Sequence, residues 1–266
     1  MKLVTFNIRC DFGQDGDNCF VCRKPLVKTA ICEHSPDIIC FQEVLPHVAA
    51  WLKETFPEYA LVGTHRSVNL EDEATFIMYK KSVFNLVAAD TFWLSPQIRT
   101  PGSRFPTQSE CPRAVTEALL EDISTPGVHR VFRVMSLHLD HMSADARVSG
   151  LEAIFDKVSR EELFAGAAVI IAGDFNADVT DTGTPEGRIM ARHPEYECMT
   201  AGVPYTYHEY GKKCERIDFI FRRRAGGSEL CKTPCRVGEP TLWHEEENGV
   251  YLSDHCPVEV RFEFEE

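Results

Sequence analysis

Two short segments, Gly173-Asp174-Phe175-Asn176 and Ser253-Asp254-His255, hold the side chains of this sequence best suited to chemistry. The first follows the apolar run Ala167–Ala172, so a buried strand should end by delivering Asp174 and Asn176 to a sheet edge. Residues i and i+2 of an extended segment point to one side, which would let both converge on a site while Phe175 packs inward. The second segment sets a carboxylate beside an imidazole just before the last alternating strand. Acid and amide groups with a His, all at strand ends, suit metal-assisted attack of water on a phosphate ester.

The elements that must position them can be read along the chain. Strands are predicted at Lys2–Asn7, Asp37–Gln42 (ending at Glu43), Tyr59–Gly63, Thr75–Tyr79, Val83–Ala89 and Thr91–Leu94. Further strands are predicted at Ala114–Ile123, Val131–His138, Ala167–Gly173, Ile217–Phe221 and Pro257–Phe264. Helical spacing of Leu26, Val27, Ala30 and Ile31 gives a helix over Arg23–His34, stopped by Ser35-Pro36. Helices also follow at Pro46–Phe56 and Ser143–Phe164, whereas Ser95–Pro112 lacks periodicity and reads as a long, pocket-shaping surface loop, as does Asp178–Pro185. Helices and strands are interspersed, with runs of consecutive strands, which fits α/β layers with two sheets better than a singly wound parallel fold. No repeat or linker divides residues 1–266, so one domain is expected.

Asn7, Glu43, His138, Asp174, Asn176, Asp218, Asp254 and His255 each closely follow or terminate an apolar strand-like segment. In layered α/β proteins strand ends are where sites assemble. Any one of these residues could simply make a turn; eight together are hard to dismiss.

Net charge is −13, which works against tight binding of long duplex DNA. It leaves small phosphorylated substrates open, because a bound cation inverts the local field. Arg222-Arg223-Arg224 is the one compact basic run, either a phosphate reader at a strand end or a solvated face. No apolar stretch is long enough to cross a bilayer, and Lys2–Asn7 enters a strand with no basic-then-apolar leader before it. The eleven cysteines are an odd number, and Cys32, Cys40 and Cys256 sit in apolar patterns, so a reducing cytoplasm is the economical reading. Cys19-Phe-Val-Cys22 lacks a second such pair or a His pair, and with Cys231 and Cys235 it reads as ordinary loop and core thiols rather than a zinc site.

Thr5-Phe-Asn7-Ile-Arg, Gln42-Glu43-Val44, Ser136-Leu-His138-Leu-Asp140-His141, Gly173-Asp-Phe-Asn176, Ile217-Asp218-Phe-Ile220 and Ser253-Asp254-His255-Cys-Pro257 stand in a telling order. That order resembles the endonuclease/exonuclease/phosphatase superfamily, and its small bacterial-type members in particular. The resemblance implies a four-layer α/β sandwich, with two central mixed β-sheets flanked by helices and the site at their shared edge. It also implies Mg²⁺ or Mn²⁺ bound by Glu43, with Asp254 and Asn7 near the ion. Oxygen-only ligands fit such a hard cation. The bland reading of Glu43 is a carboxylate at a helix N-terminus, ahead of Leu45-Pro46.

Asp174 is the best candidate to orient or deprotonate water, although an ordinary Asp, with a pKa of roughly 4, is a weak base near neutrality. A raised pKa or a metal-acidified water would remove that difficulty. Asn176 takes no proton, and its amide suits holding the water or a phosphate oxygen. His255 could be the base instead, oriented by Asp218, but is favoured as a donor to a phosphate oxygen. His138 resembles the His that contacts the scissile phosphate in this superfamily, with Asp140 and His141 bracing its loop. Glu73 and Arg113 match positions flanking the pocket, and Arg147 either binds substrate or bridges to an acid.

Departures narrow the substrate. Ile8-Arg9 replaces the Asn-rich stretch of abasic-site endonucleases, and the Trp and Asp-Arg motifs of inositol polyphosphate phosphatases are missing. No leader or exposed aromatic set of the secreted sphingomyelinases is evident. The expectation is hydrolysis of a phosphomonoester or phosphodiester, on a small phosphorylated metabolite, a nucleotide or a short nucleic-acid end. A 3′ exoribonuclease or deadenylase-like nuclease is the alternative, if Phe92-Trp93 and Arg222–Arg224 face the site. A non-catalytic binding module is the rival outside the enzymes, disfavoured because all eight polar residues are present.

Overall fold

Strand β1 (Lys2–Asn7) is buried along nearly its whole length, which an apolar run can sustain only where both faces of a sheet are covered. The structure, a computed structural model, describes residues 1–161, 167–223 and 235–264. In it β1 pairs in parallel with β2 (Ile38–Val44) and antiparallel with β15 (Val258–Phe264). The first sheet continues from β2 to β4 (Ala74–Lys80) and β3 (Tyr59–Val62). On its other side β11 (Cys235–Val237) and β12 (Thr241–Leu242) both pair with β15.

A second sheet runs in the order β5 (Phe84–Trp93), β6 (Ala114–Asp122), β7 (Arg130–His138), β8 (Ala168–Asp174), β10 (Asp218–Arg223) and β9 (Tyr196–Cys198). Only β7 and β8 pair in parallel within it, across the crossover helix α3 (Ala144–Arg160). A small hairpin joins β13 (Glu246–Glu247) to β14 (Val250–Tyr251).

Alternation along the strands builds the layers. Leu3, Ile38, Cys40 and Ile77 of the first sheet pack with Ala118, Val134, Ile170 and Ile220 of the second. The intervening residues Val4, Phe6, Ile39 and Phe41 face outward onto α1 (Phe20–His34) and α2 (Pro46–Thr55). On the far side Met135, Leu137, Val169 and Ile171 meet Leu151 and Ile154 of α3 and Ile189 of α4 (Pro185–Ala191). Each buried aliphatic side chain contributes about 1.5–3 kcal/mol, so the three interfaces dominate the stability. The result is the expected mixed α/β sandwich of two large sheets and flanking helices.

Several boundaries differ, each for a local reason. Helix α1 begins at Phe20, a turn before the predicted Arg23, and keeps Pro25 inside it. The two strands predicted over Val83–Leu94 are one strand, because Asp90, at the expected break, pairs in register with Glu117 of β6; the irregularity falls earlier, between Leu86 and Ala88. Strand β2 does not stop at Gln42 but passes through a register shift to Val44. Helix α3 is described to Arg160, and the predicted end at Phe164 lies outside the described residues, as do Arg224 and Cys231. Helix α4 and strand β9 carried no clear period, being only seven and three residues long.

Candidate active site

Asp174 is the C-terminal residue of β8, and the sheet register places His138 of β7 and Asp218 of β10 directly beside it. Neighbouring strands lie about 4.8 Å apart, so three functional groups form one row along the sheet edge. Gly173 makes this edge possible. Its φ is +154°, and a Cβ there would stand 2.0 Å from the Leu137 carbonyl oxygen. The first sheet supplies Asn7 at the end of β1 and Glu43 in the bulge of β2, and Asp254-His255 arrives just before β15. Thus the site straddles the shared edge of both sheets.

Asn7 ties the two halves together. Its Nδ2 donates to Glu43 Oε1 at 3.0 Å and to Asp174 Oδ2 at 3.0 Å, and lies 3.4 Å from His255 Nε2. Asp174 Oδ2 is also 3.5 Å from His138 Nε2 and 3.8 Å from His255 Nε2. On the other ring nitrogen, His255 Nδ1 sits 2.8 Å from Asp218 Oδ2. Asp218 is itself fixed by its backbone N–H, which donates to Thr206 Oγ1.

Glu43 has φ +62°, a left-handed conformation costing a non-glycine residue roughly 1 kcal/mol or more. The bulge turns its carboxylate toward Asn7 instead of along the regular strand alternation. Its Oε2 accepts the Cys10 N–H at 2.7 Å. Both donors are neutral, so they orient the charge while leaving lone pairs for another partner.

Burial acts against the Glu43 charge, but the Cys10 and Asn7 hydrogen bonds, with His255 and Arg9 nearby, hold its pKa at about 2. Asp174 moves the opposite way. Burial and the Asp218 charge push it up to about 7 against His255 and the Asn176 N–H. Burial opposes charge on His255, yet Asp218, Asp254 and Asp174 together raise it to about 10. His138 is driven well below the usual range by burial and the Arg113 and Arg66 charges, so its imidazole is neutral.

Asn176 departs from the alternation expected of it. The strand ends at Asp174, and Asn176 lies beyond it at φ +52°, a conformation Asn tolerates. Its backbone N–H clamps Asp174 Oδ1 at 2.8 Å, while Nδ2 donates to the Leu139 carbonyl at 3.0 Å. Phe175 does pack inward, edge-on to Phe219 and Phe221.

A narrow cleft beside Glu43 is lined by Arg66, Glu73, Thr75, Arg113 and His138 among others. Arg66 Nη2 pairs with Glu73 Oε1 at 3.0 Å. Burial and the Glu43 charge still raise Glu73 to about 7. Arg113 donates to His141 Nδ1 at 2.9 Å, and its buried Nε and Nη1 make no hydrogen bond among the described residues. Arg147 lies elsewhere: it donates to Glu186 Oε1 at 2.6 Å and to the Asp140 carbonyl, bridging α3 to α4 and the Asp140 loop. Asp140 in turn accepts from Ser109, Met142 and Ser143.

Sequence reasoning passed over Arg66, whose seven-residue spacing from Glu73 across a loop follows no period, and Tyr207, whose ring centroid is 4.8 Å from that of His255. It also treated Arg9 only as a departure from a pattern, although Arg9 Nη1 lies 3.4 Å from Asp254 Oδ2. The segments expected to line a nucleic-acid groove do not face the site among the described residues. Phe92 and Trp93 are core residues, with Trp93 Nε1 donating to the Arg66 carbonyl. Arg222 and Arg223 sit at the far end of β10 from Asp218, and Arg222 pairs with Glu197. The ten described cysteines are free thiols; Cys19 and Cys22 approach to 3.4 Å between sulfurs, and Cys32 is exposed rather than packed.

The donor set fits a hard divalent cation. Carboxylates crowd the edge, and the donor atoms of Glu43, Glu73 and His138 lie within 4.8 Å of one another, as do those of Asp174, Asp218 and His255. Burial first, and then the charge of Asp218 on Asp174 and of Glu43 on Asp254, raise these two carboxyls against the nearby His255.

Fold and site together define a hydrolase of phosphate esters. The sequence model of the endonuclease/exonuclease/phosphatase family matches residues 4–255, and the chain belongs to that family, whose members are metal-dependent. Its fold is similar to an endonuclease/exonuclease/phosphatase protein of Bacteroides vulgatus (27% identity, TM-score 0.85, 99% of this chain and 98% of that one). It also resembles a mannosyl-6-phosphatase of Bacteroides thetaiotaomicron (23%, TM-score 0.81, 99% and 100%). D. rerio TDP2 bound to a single-stranded DNA product shares the fold at 19% identity (TM-score 0.74, 99% and 98%). No curated protein matches. Among the described residues no helix is long and apolar enough to cross a membrane.

Proposed function

We propose that residues 1–266 form one domain, a phosphoesterase using Mg²⁺ or Mn²⁺ in which water attacks phosphorus in line. The observation that carries this reading is the position of Asp174 Oδ2, held by Asn7 and flanked by His138 and His255 at 3.5 and 3.8 Å. A carboxylate so placed can take a proton from water at one side of a phosphate while the imidazoles address its oxygens. Burial and the Asp218 charge lift it toward neutrality, where it becomes a useful base.

Asn176 clamps Asp174 through its backbone N–H, and its amide oxygen remains for the water. His255, kept protonated by Asp218, donates from Nε2 to a non-bridging phosphate oxygen. His138 and Arg113 Nη1 address the same group from the cleft side, while Arg113 Nε faces Asp140 Oδ1 at 3.7 Å. Arg147 is a positioning residue acting through the Asp140 loop. Glu43 would hold the ion, together with Asp254 and Asn7. When bound, the ion offsets charge that builds on the phosphate in the transition state.

Small phosphorylated metabolites or nucleotides are the favoured substrates. The net charge of −13 opposes long polyanions, while Arg66 and Arg113 give the cleft a local basic wall. The relatives with named substrates share less than 25% identity and speak only to the fold. Ten free thiols support a reducing cytoplasm. The test is a panel of phosphomonoesters and phosphodiesters, oligonucleotides included, assayed with Mg²⁺ or Mn²⁺ and then with chelator. Absence of metal-dependent turnover on every member would overturn the proposal.

A further inference from the structure

The sequence reads Cys19-Phe-Val-Cys22 as ordinary thiols, yet both stand in the first turn of α1. Cys19 is the N-cap of this fifteen-residue helix, where Ser, Thr, Asn or Asp would normally stand. Its carbonyl accepts the Cys22 N–H at 3.0 Å and the Arg23 N–H at 3.2 Å, which closes the turn and brings the two sulfurs to 3.4 Å. The turn is held on every side. Phe20 is fully buried, edge-on to Trp51, and its N–H donates to Asp11 Oδ1 at 3.3 Å. Asn18 bonds the Gly249 carbonyl and the Tyr251 N–H, and the buried Arg23 bonds the Ile8 and Leu252 carbonyls. Cys22 and Val21 are exposed and Cys19 is half-buried, so a small molecule can reach both sulfurs.

We propose that Cys19 and Cys22 form a reversible dithiol/disulfide site that exchanges with low-molecular-weight disulfides. Cys19 is the attacking sulfur, because a helix N-terminus favours the thiolate. The Cys22 backbone N–H, and after it the Cys22 S–H, draw the Cys19 thiol below its usual range against the charge of Asp11. The Cys19 thiolate attacks one sulfur of the small disulfide and expels the other as a thiolate. Cys22 then gives its proton to solvent, attacks Cys19 Sγ and expels the second small thiolate. The protein loses two electrons and two protons, and the small disulfide becomes two thiols. Cys10, Cys40 and Cys256 are buried away from such a reagent. In a reducing compartment the bond is transient, which suits a sensor of the small-disulfide pool rather than a staple for the fold. The site does not rest on the phosphoesterase reading.

Mass spectrometry tests this without reference to turnover. The reduced full chain is treated with oxidised glutathione at neutral pH, blocked with N-ethylmaleimide in denaturant and cut with trypsin without reduction. Cys10–Arg23 is a single tryptic peptide with three cysteines, Cys10, Cys19 and Cys22. It should appear two hydrogens lighter, with one maleimide, on Cys10, and with Cys19 linked to Cys22; dithiothreitol should reverse the change. The exposed Cys32 and Cys214 should carry mixed disulfides instead, formed about tenfold more slowly. Cys22→Ser removes the second step, so Cys19 should keep the glutathione as a stable adduct, whereas Cys22 in Cys19→Ser should react no faster than Cys32. A wild type without the Cys19–Cys22 bond, with adducts on both sulfurs, or with a bond that forms no faster than the Cys32 adduct would overturn the site. Faster capture by Cys22 in Cys19→Ser than by Cys19 in Cys22→Ser would overturn Cys19 as the attacking sulfur.

Discussion

His255 Nδ1 and Asp218 Oδ2 are 2.8 Å apart, and this pairing fixes which ring nitrogen faces Asp174. It also makes His255 a cation in the folded chain, with its pKa at about 10 although burial alone would lower it. A folded-state pKa above the unfolded value of roughly 6.5 contributes stability that is complete at lower pH. That contribution is lost as pH rises through about 10. Metal-free protein should therefore lose stability between about pH 7 and 9, and Asp218→Asn should flatten that slope. Urea unfolding across the pH series measures it; an equal slope in the variant would refute the assignment.

Asp174→Ala should lower kcat/KM by about 10²-fold or more, the scale for removing one preorganised polar group from a transition state. Mn²⁺ binding should persist, since Glu43 keeps its Cys10 and Asn7 hydrogen bonds. Steady-state kinetics with a metal titration separates the two effects. A loss under about threefold removes Asp174 from the chemistry.

Divalent metal should raise the melting temperature in proportion to the logarithm of its concentration, because the ion binds the folded site alone. Glu43→Gln should abolish that rise and also lower the metal-free melting temperature, because the Cys10 N–H and Asn7 Nδ2 bond the charged carboxylate. The same rise in the variant would place the ion elsewhere, for instance on Asp174, Asp218 and His255.

Gly173→Ala should cost about 3 kcal/mol or more, since the added methyl meets a backbone carbonyl rather than a side chain able to yield. The obstruction is the Leu137 oxygen, 2.0 Å from the new Cβ, in the parallel ladder that aligns His138 with Asp174. Denaturant midpoints of variant and wild type decide it, and a difference below about 1 kcal/mol would contradict the geometry.

Much of this arrangement was legible before any coordinates. Lys2–Asn7 and Ala167–Gly173 announced themselves because both sheet faces are covered, which forces continuous apolar runs. The ordered motifs carried the strand-end residues. What stayed hidden depended on local backbone or on pairing across loops. The left-handed turns at Glu43 and Asn176 leave no period to read. Arg66 with Glu73 and Arg147 with Glu186 are choices of partner that only packing makes. For the same reason Phe92-Trp93 could be taken for a stacking surface although the core absorbs it.

Asn7 and Glu43 belong to one sheet, His138, Asp174 and Asp218 to the other. Catalytic alignment is therefore hostage to how the two layers slide against each other, and much of the lubricant is aliphatic, Leu3, Ile38, Ile77, Val134, Ile170 and Ile220 among it. Trimming a methylene at that seam would detune turnover from a distance, so drift in rate among such variants would report slippage between plates that never touch the substrate.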